Sequence, residues 1–248
     1  MNLPVNAHRD PITIMADGTI KQVNPFSGTE VWTVPGRGNR PLAKPAVDPA
    51  PLGPHDRDHR CAFCPATPLA TPPEKSRMVR DGSDWKILQG LLPHELDDTV
   101  PEFRRVPNLF EIISYDYWAK NYGYEMDAET TARMATYLAD PAGRRHVLDI
   151  VRTRLTAGGQ SADLSEEELL EYAPAYFGGG HDVIISRRHF TDDATHDNEL
   201  ASSGTLTSDE HAAFIRFTLD GMRDLYARNR YAPYVWRSRT GSSPPAPP

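Results

Sequence analysis

The chain has 248 residues, 39% of them hydrophobic and 25% charged, enough for one large domain with its own core. A formal charge of -7 excludes a general affinity for nucleic acid or an anionic membrane, and no apolar run approaches the length of a membrane span. The opening Met1-Asn2-Leu3-Pro4 lacks the basic and apolar run of a signal peptide, so the expectation is a cytoplasmic protein.

In chain order, Ile12 to Met15, the Asp17-Gly18 turn and Thr19 to Val23 read as a hairpin. Glu30 to Val34 reads as a further strand after the turn Asn24-Pro25-Phe26-Ser27-Gly28. Residues 35–73 are rich in Pro, Gly, Arg and Asp, which predicts an irregular stretch, and a loop of that length is usually functional or disordered. Arg104 to Ser114 carries an extended apolar pattern. Between Ala128 and Phe177 the spacing turns helical, with Met134, Leu138, Val147, Ile150, Val151 and Leu155 recurring at three and four and a break at Pro141. Ser165 to Tyr172 suits a short helix in which Ser165 caps and Glu168 answers it. Gly178-Gly179-Gly180, the nearest approach to a phosphate loop, reads as a flexible entry to a buried strand over Asp182 to Ser186. Ser208 to Arg230 reads as a long amphipathic helix capped by Ser208, with Ala212, Ile215, Phe217, Leu219, Met222 and Leu225 available for burial. Tyr231 to Trp236 suits the start of another strand. This order lacks the βαβ rhythm of a doubly wound sheet and predicts an α+β fold.

The two cysteines of the chain, Cys61 and Cys64, stand at the spacing that lets a short loop aim both sulfurs at one metal ion. A disulfide between them would close a trivial loop. A thioredoxin-type pair sits at a helix start after a strand, and Asp56-Arg57-Asp58-His59-Arg60 is not such a strand. Zinc is the leading reading, with redox chemistry and plain structural thiols as alternatives. His55 and His59 are local ligand candidates, and His189, just after the predicted strand, is a distant one. Spacing alone does not choose among them.

Four segments in order resemble the galactose-1-phosphate uridylyltransferases of the histidine triad superfamily. They are Asn24-Pro25-Phe26-Ser27-Gly28 leading to Arg37-Gly38-Asn39-Arg40-Pro41, then Cys61-Ala62-Phe63-Cys64-Pro65, then Arg105-Val106-Pro107-Asn108-Leu109-Phe110, and finally His181 to His189. The resemblance covers residues 12–235. It implies a histidine-triad-like antiparallel sheet with packed helices, to which residues 115–176 add a helical insertion. It also implies zinc held by Cys61, Cys64 and His189, with His55 and His59 as substitute ligands. Arg37, Arg40 and Asn108 would bind nucleotide and phosphate, the substrates would be a nucleotide sugar and a hexose 1-phosphate, and the protein would be a homodimer.

The nucleophile of that family belongs to an H-x-H motif with no counterpart in this sequence. Residues 236–248 have the composition of a disordered tail. One GC-rich codon choice for residues 237–248, read from the third base, gives Phe-Gln-Asn-Trp-Leu-Val-Pro-Ala-Gly-Ala-Ser, similar to the family segment before H-x-H. The expectation is an out-of-frame tail on a chain that ends partway through its sheet and cannot catalyse by itself. A nucleotide-sugar phosphorylase of the same superfamily and a non-catalytic zinc-binding interaction module are the competing readings.

Overall fold

The computed structural model describes residues 10–25, 27–35, 48–111 and 113–230. Arg37 and Arg40, the turn residue Phe26, the expected strand from Tyr231 and the tail over 236–248 lie outside the described residues.

A small antiparallel sheet opens the chain, with β1 (Ile12–Ile14), β2 (Ile20–Val23) and β3 (Glu30–Thr33) in that order. Gly18 turns the first hairpin at φ +84°, a conformation that glycine reaches without steric cost. The sheet leaves Ile12, Ile14 and Val31 exposed on its outer face. It is anchored through Met15 and Trp32, which pack against Tyr117 and Trp118 of a later helix, and through a Trp32 Nε1 to Tyr117 Oη hydrogen bond of 3.1 Å.

After a short helix α1 (Asp56–His59), the main sheet is built from β4 (Ser76–Asp81), β5 (Asp84–Gln89), β6 (Pro101–Pro107) and β7 (Asp182–Ser186). All its pairings are antiparallel, in the order β5-β4-β6-β7, with an irregularity between Met78 and Val79 where β4 meets β6. The extended pattern expected from Arg104 to Ser114 is thus shifted: β6 ends at Pro107, and Asn108 turns the chain by accepting from the Phe110 N–H at 3.0 Å. β7 is half-buried rather than buried, since among the described strands it pairs on one side alone.

A helix that the spacing does not predict, α2 (Tyr115–Tyr122), comes next, and the helical spacing between Ala128 and Phe177 is realised as α3 (Ala128–Ala139), α4 (Pro141–Ala157) and α5 (Glu166–Leu170). Asp140 caps α4 and Pro141 occupies its first turn, where the missing N–H costs nothing. Ser165 and Glu168 make the expected capping box of α5. Val147, Ile150, Val151 and Leu155 of α4 fill a core with Tyr137, Leu169, Tyr176 and Phe177. The last helix, α6 (Ser208–Arg228), is capped by Thr207 rather than Ser208, with Glu210 closing the box. Its buried face is Ala213, Phe217 and Gly221, which set Phe217 against Met78 and Phe103 of the sheet; Ile215 and Leu219 stay exposed. Gly221 is small enough for Arg105 to pass beneath, since a Cβ there would stand 3.1 Å from Arg105 Cδ.

Gly178-Gly179-Gly180 is a close-packing device rather than a flexible entry. A Cβ on Gly178 would lie 2.4 Å from Met126 Cγ, and one on Gly179 would lie 2.7 Å from Glu111 Oε2. Together the two sheets and the helices make the expected α+β architecture.

Candidate functional site

Strand β6 carries two arginines in succession, and the alternation of a strand sends them to opposite faces. On the face of Arg104 lies the cysteine loop. Arg104 donates Nη2 to the carbonyl of Phe63 at 3.0 Å and pairs with the buried Glu74 at 3.2 Å, a carboxylate that also holds Arg77 at 2.8 Å. The loop is therefore gripped at the residue between its cysteines.

The loop itself is a tight turn. Cys64 N–H donates to the Cys61 carbonyl at 3.0 Å, Cys61 N–H to Cys64 Sγ at 3.3 Å, and Phe63 N–H to Cys61 Sγ at 3.4 Å. Backbone donors aimed at sulfur favour thiolates, the form that binds metal. Thr67 Oγ1 closes the turn on the carbonyls of Cys61 and Cys64.

His189 arrives from the other end of the sequence. The segment after β7 is laced to the loop before the cysteines by backbone bonds from Leu52 to Thr195 and from Asp197 to Ala50, and by an Arg60 to Asp197 ion pair of 2.9 Å. This brings His189 Nδ1 to 3.3 Å from Cys61 Sγ and 3.4 Å from Cys64 Sγ, while the sulfurs stand 3.8 Å apart. A tetrahedral zinc with ordinary bond lengths separates two sulfurs by about 3.8 Å and a sulfur from a nitrogen by about 3.6 Å. The triangle fits that ion, and the sulfur separation is far too long for a disulfide, where about 2.05 Å is required.

The electrostatics speak against a redox-catalytic thiol. Burial pushes the Cys64 thiol above its ordinary value, and a catalytic thiol needs the opposite shift. Burial, with the Arg60 charge beside it, lowers His189 and so favours the neutral imidazole that coordinates metal. The pair also follows the one-turn helix α1, not a strand running into a helix as a thioredoxin-type centre requires.

Cys61, Cys64 and His189 thus form a candidate metal site, and among the described residues no fourth His, Cys, Asp or Glu joins them. His55 and His59, the local candidates, pack edge to face on each other at 6.2 Å and stand outside that group. Asn108 lies at the end of β6, bonded through its backbone to the carbonyl of His181 at 2.9 Å and through Nδ2 to His181 Nδ1 at 3.3 Å. Among the described residues no helix is long and apolar enough to cross a membrane. No curated protein and no solved structure matches the chain. A family model does match over residues 15–240, and the chain belongs to that family, described as a domain of unknown function, DUF4921.

Proposed function

We propose that this protein is a zinc-bearing member of the uridylyltransferase type, with a histidine-triad-like sheet whose metal is a structural clamp. The observation that carries the reading is the convergence of His189 on two cysteines 125 and 128 positions away, at separations suited to zinc. The sequence resemblance named those three residues as one ligand set. Zinc would fix the loop of Cys61 and Cys64 to the segment after β7, with its fourth position left to a further ligand. Asn108, beside His181 at the end of β6, and the loop arginines Arg37 and Arg40 would face the nucleotide and phosphate of a nucleotide sugar and a hexose 1-phosphate. Without the H-x-H nucleophile the chain would bind without turning over, and it would associate as a dimer. The match over residues 15–240 takes in α3 and α4, so the helical segment is integral to this family.

Metal analysis of the purified chain tests the clamp: one zinc per chain is expected, lost on His189→Ala and kept on His55→Ala and His59→Ala. Retention of zinc by His189→Ala, with loss on His55→Ala or His59→Ala, would replace this reading with the local zinc-binding module. Calorimetry with UDP-glucose tests the transferase reading separately. Binding without release of hexose 1-phosphate is expected, and absence of binding to a zinc-loaded, folded chain rejects it.

A further inference from the structure

On the face of the sheet opposite the cysteine loop, a cavity of about 340 Å³ lies between the end of β5, β6, α3 and α6, with Lys75, just before β4, on its wall. That size is at the small end of ligand pockets, roughly 300–1,000 Å³. Four of its lining residues are cations: Lys75, Arg105, Arg133 and Arg228. Their charges are unevenly matched. Lys75 and Arg105 share Asp182, each at 2.7 Å, and Arg105 shares Asp224 with Arg228. Arg228 also pairs with Glu129, another lining residue, at 2.8 Å.

Two guanidinium groups are left with capacity to spare. Arg105 is 2% exposed, and its Nη2 is buried with no hydrogen-bond partner among the described residues. Arg133 forms no ion pair among the described residues; it donates Nη2 to the Glu74 carbonyl at 2.6 Å and lies 5.5 Å from the centre of the Phe177 ring. Withdrawal from water pulls its pKa below the ordinary arginine value; the charges of Asp182 and Asp224 at longer range oppose the shift, and the Arg105 charge adds to it. A partly desolvated cation with no carboxylate in direct contact is costly, and a bound anion reduces that cost. The wall at Gly178 and Gly179 carries no side chain, and no Cβ fits there because Met126 and Glu111 stand behind.

We propose that this cavity binds the phosphate group of a small molecule, seated against Arg133 and beside the Arg105 guanidinium. Resident carboxylates already serve Lys75 and Arg228. What is left over is most of the Arg133 fork, with a single unpaired nitrogen of Arg105 behind it, and a guanidinium fork is the donor geometry that a tetrahedral dianion with several acceptor oxygens matches. Arg133, Thr136 and Tyr137 line the cavity from α3, in the helical insertion between the segments that carry the uridylyltransferase resemblance, while Arg105 belongs to one of those segments; the phosphate test does not depend on the transferase reading.

The test uses the full chain and two probes, inorganic phosphate and glucose 1-phosphate, with chloride at matched ionic strength as the control. Phosphate is expected to raise the melting temperature in a saturable way, by a few degrees at about 100 times its Kd, while chloride does not. A tenfold preference for the ester assigns the body of the ligand to the cavity as well; equal affinity assigns the phosphate group alone. Arg133→Gln is expected to weaken binding at least tenfold. Thr136→Glu, at an exposed position on the cavity wall, sets a carboxylate against the same guanidinium groups. It is expected to abolish the phosphate response while leaving the circular dichroism unchanged, and it decides the matter if Arg133→Gln does not fold. A wild-type shift no larger than that with chloride, or a full response retained by Thr136→Glu, overturns the proposal.

Discussion

The metal corner and the cation cavity use the same strand in opposite ways. Arg104 and Arg105 are neighbours on β6, yet one grips the turn between two cysteines and the other reaches under Gly221 to Asp224 of α6. At the candidate metal corner the functional atoms are two soft sulfurs and an imidazole nitrogen, and the arginines stand behind them as braces. In the cavity the charges themselves face inward, and the fold supplies just enough carboxylate to hold most of them. The lesson is that a ligand set drawn from a short loop needs one long-range contact to be complete, whereas a charge cluster needs every element in place.

Metal removal is the largest perturbation. Chelation, or Cys64→Ser, is expected to lower the melting temperature by on the order of 10 °C, because ion binding and ordering of the loop are one free energy. Calorimetry with and without chelator checks this; coincident transitions would mean that the loop needs no ion. Next comes the cavity framework: Arg105→Met leaves Asp182 to Lys75 and Asp224 to Arg228, for a loss of about 3 kcal/mol in urea unfolding. The mirror change, Arg104→Met, is expected to weaken zinc affinity roughly tenfold by freeing the Phe63 carbonyl, with the phosphate response intact. Equal effects of both variants on both sites would erase the distinction between the two faces.

A titration separates the faces further. Burial pushes the Glu111 carboxyl, which accepts from Gly180 N–H at 2.7 Å, up to about 8. Its folded value is raised, so its contribution is fully present below the unfolded value of 4.5 and is lost as pH rises through about 8. Glu111→Gln is therefore expected to match the wild type at pH 4.5 and to exceed its stability at pH 8 by on the order of 2 kcal/mol, measured by urea unfolding. A parallel pH profile for the two proteins would contradict this. A smaller loss, about 1–2 kcal/mol, is expected for Gly179→Ala, whose Cβ meets Glu111 and the Ala175 carbonyl. Smallest of all, Arg144→Ala breaks an exposed ion pair with Glu166 and should cost under about 0.5 kcal/mol.

Much of this organisation is legible in the residues. The helices α3 and α4 follow from apolar spacing and the Asp140-Pro141 boundary, and α5 from Ser165 and Glu168. The metal set is legible because two of its members are adjacent in sequence and chemically distinctive, although choosing His189 over His55 and His59 took a resemblance and then the fold. Strands β4 and β5 were not legible. β4 sits in the middle of the sheet and buries Ser76 and Arg77 as well as Met78 and Val79, so it shows no polar and apolar alternation. The usable signal was local: Gly82-Ser83 makes a two-residue hairpin loop, with Gly82 at φ +62° and Asp81 paired to Asp84. The cavity gave no signal at all, because its cations come one at a time from the residue before β4, from β6, α3 and α6, and each alone reads as a solvated surface charge.

The alternation of Arg104 and Arg105 on β6 also makes the two faces witnesses to each other. A strand repeats every two residues, so a slip of one position would turn each arginine toward the site that belongs to the other. The irregularity between Met78 and Val79 lies beside that choice, where the pairing of β4 with β6 changes step. A chain that paired wrongly there would lose its loop clamp and its cavity in one error. If the proposed clamp holds zinc, zinc content measured on the cysteine side would be a readout of whether the opposite side has been assembled.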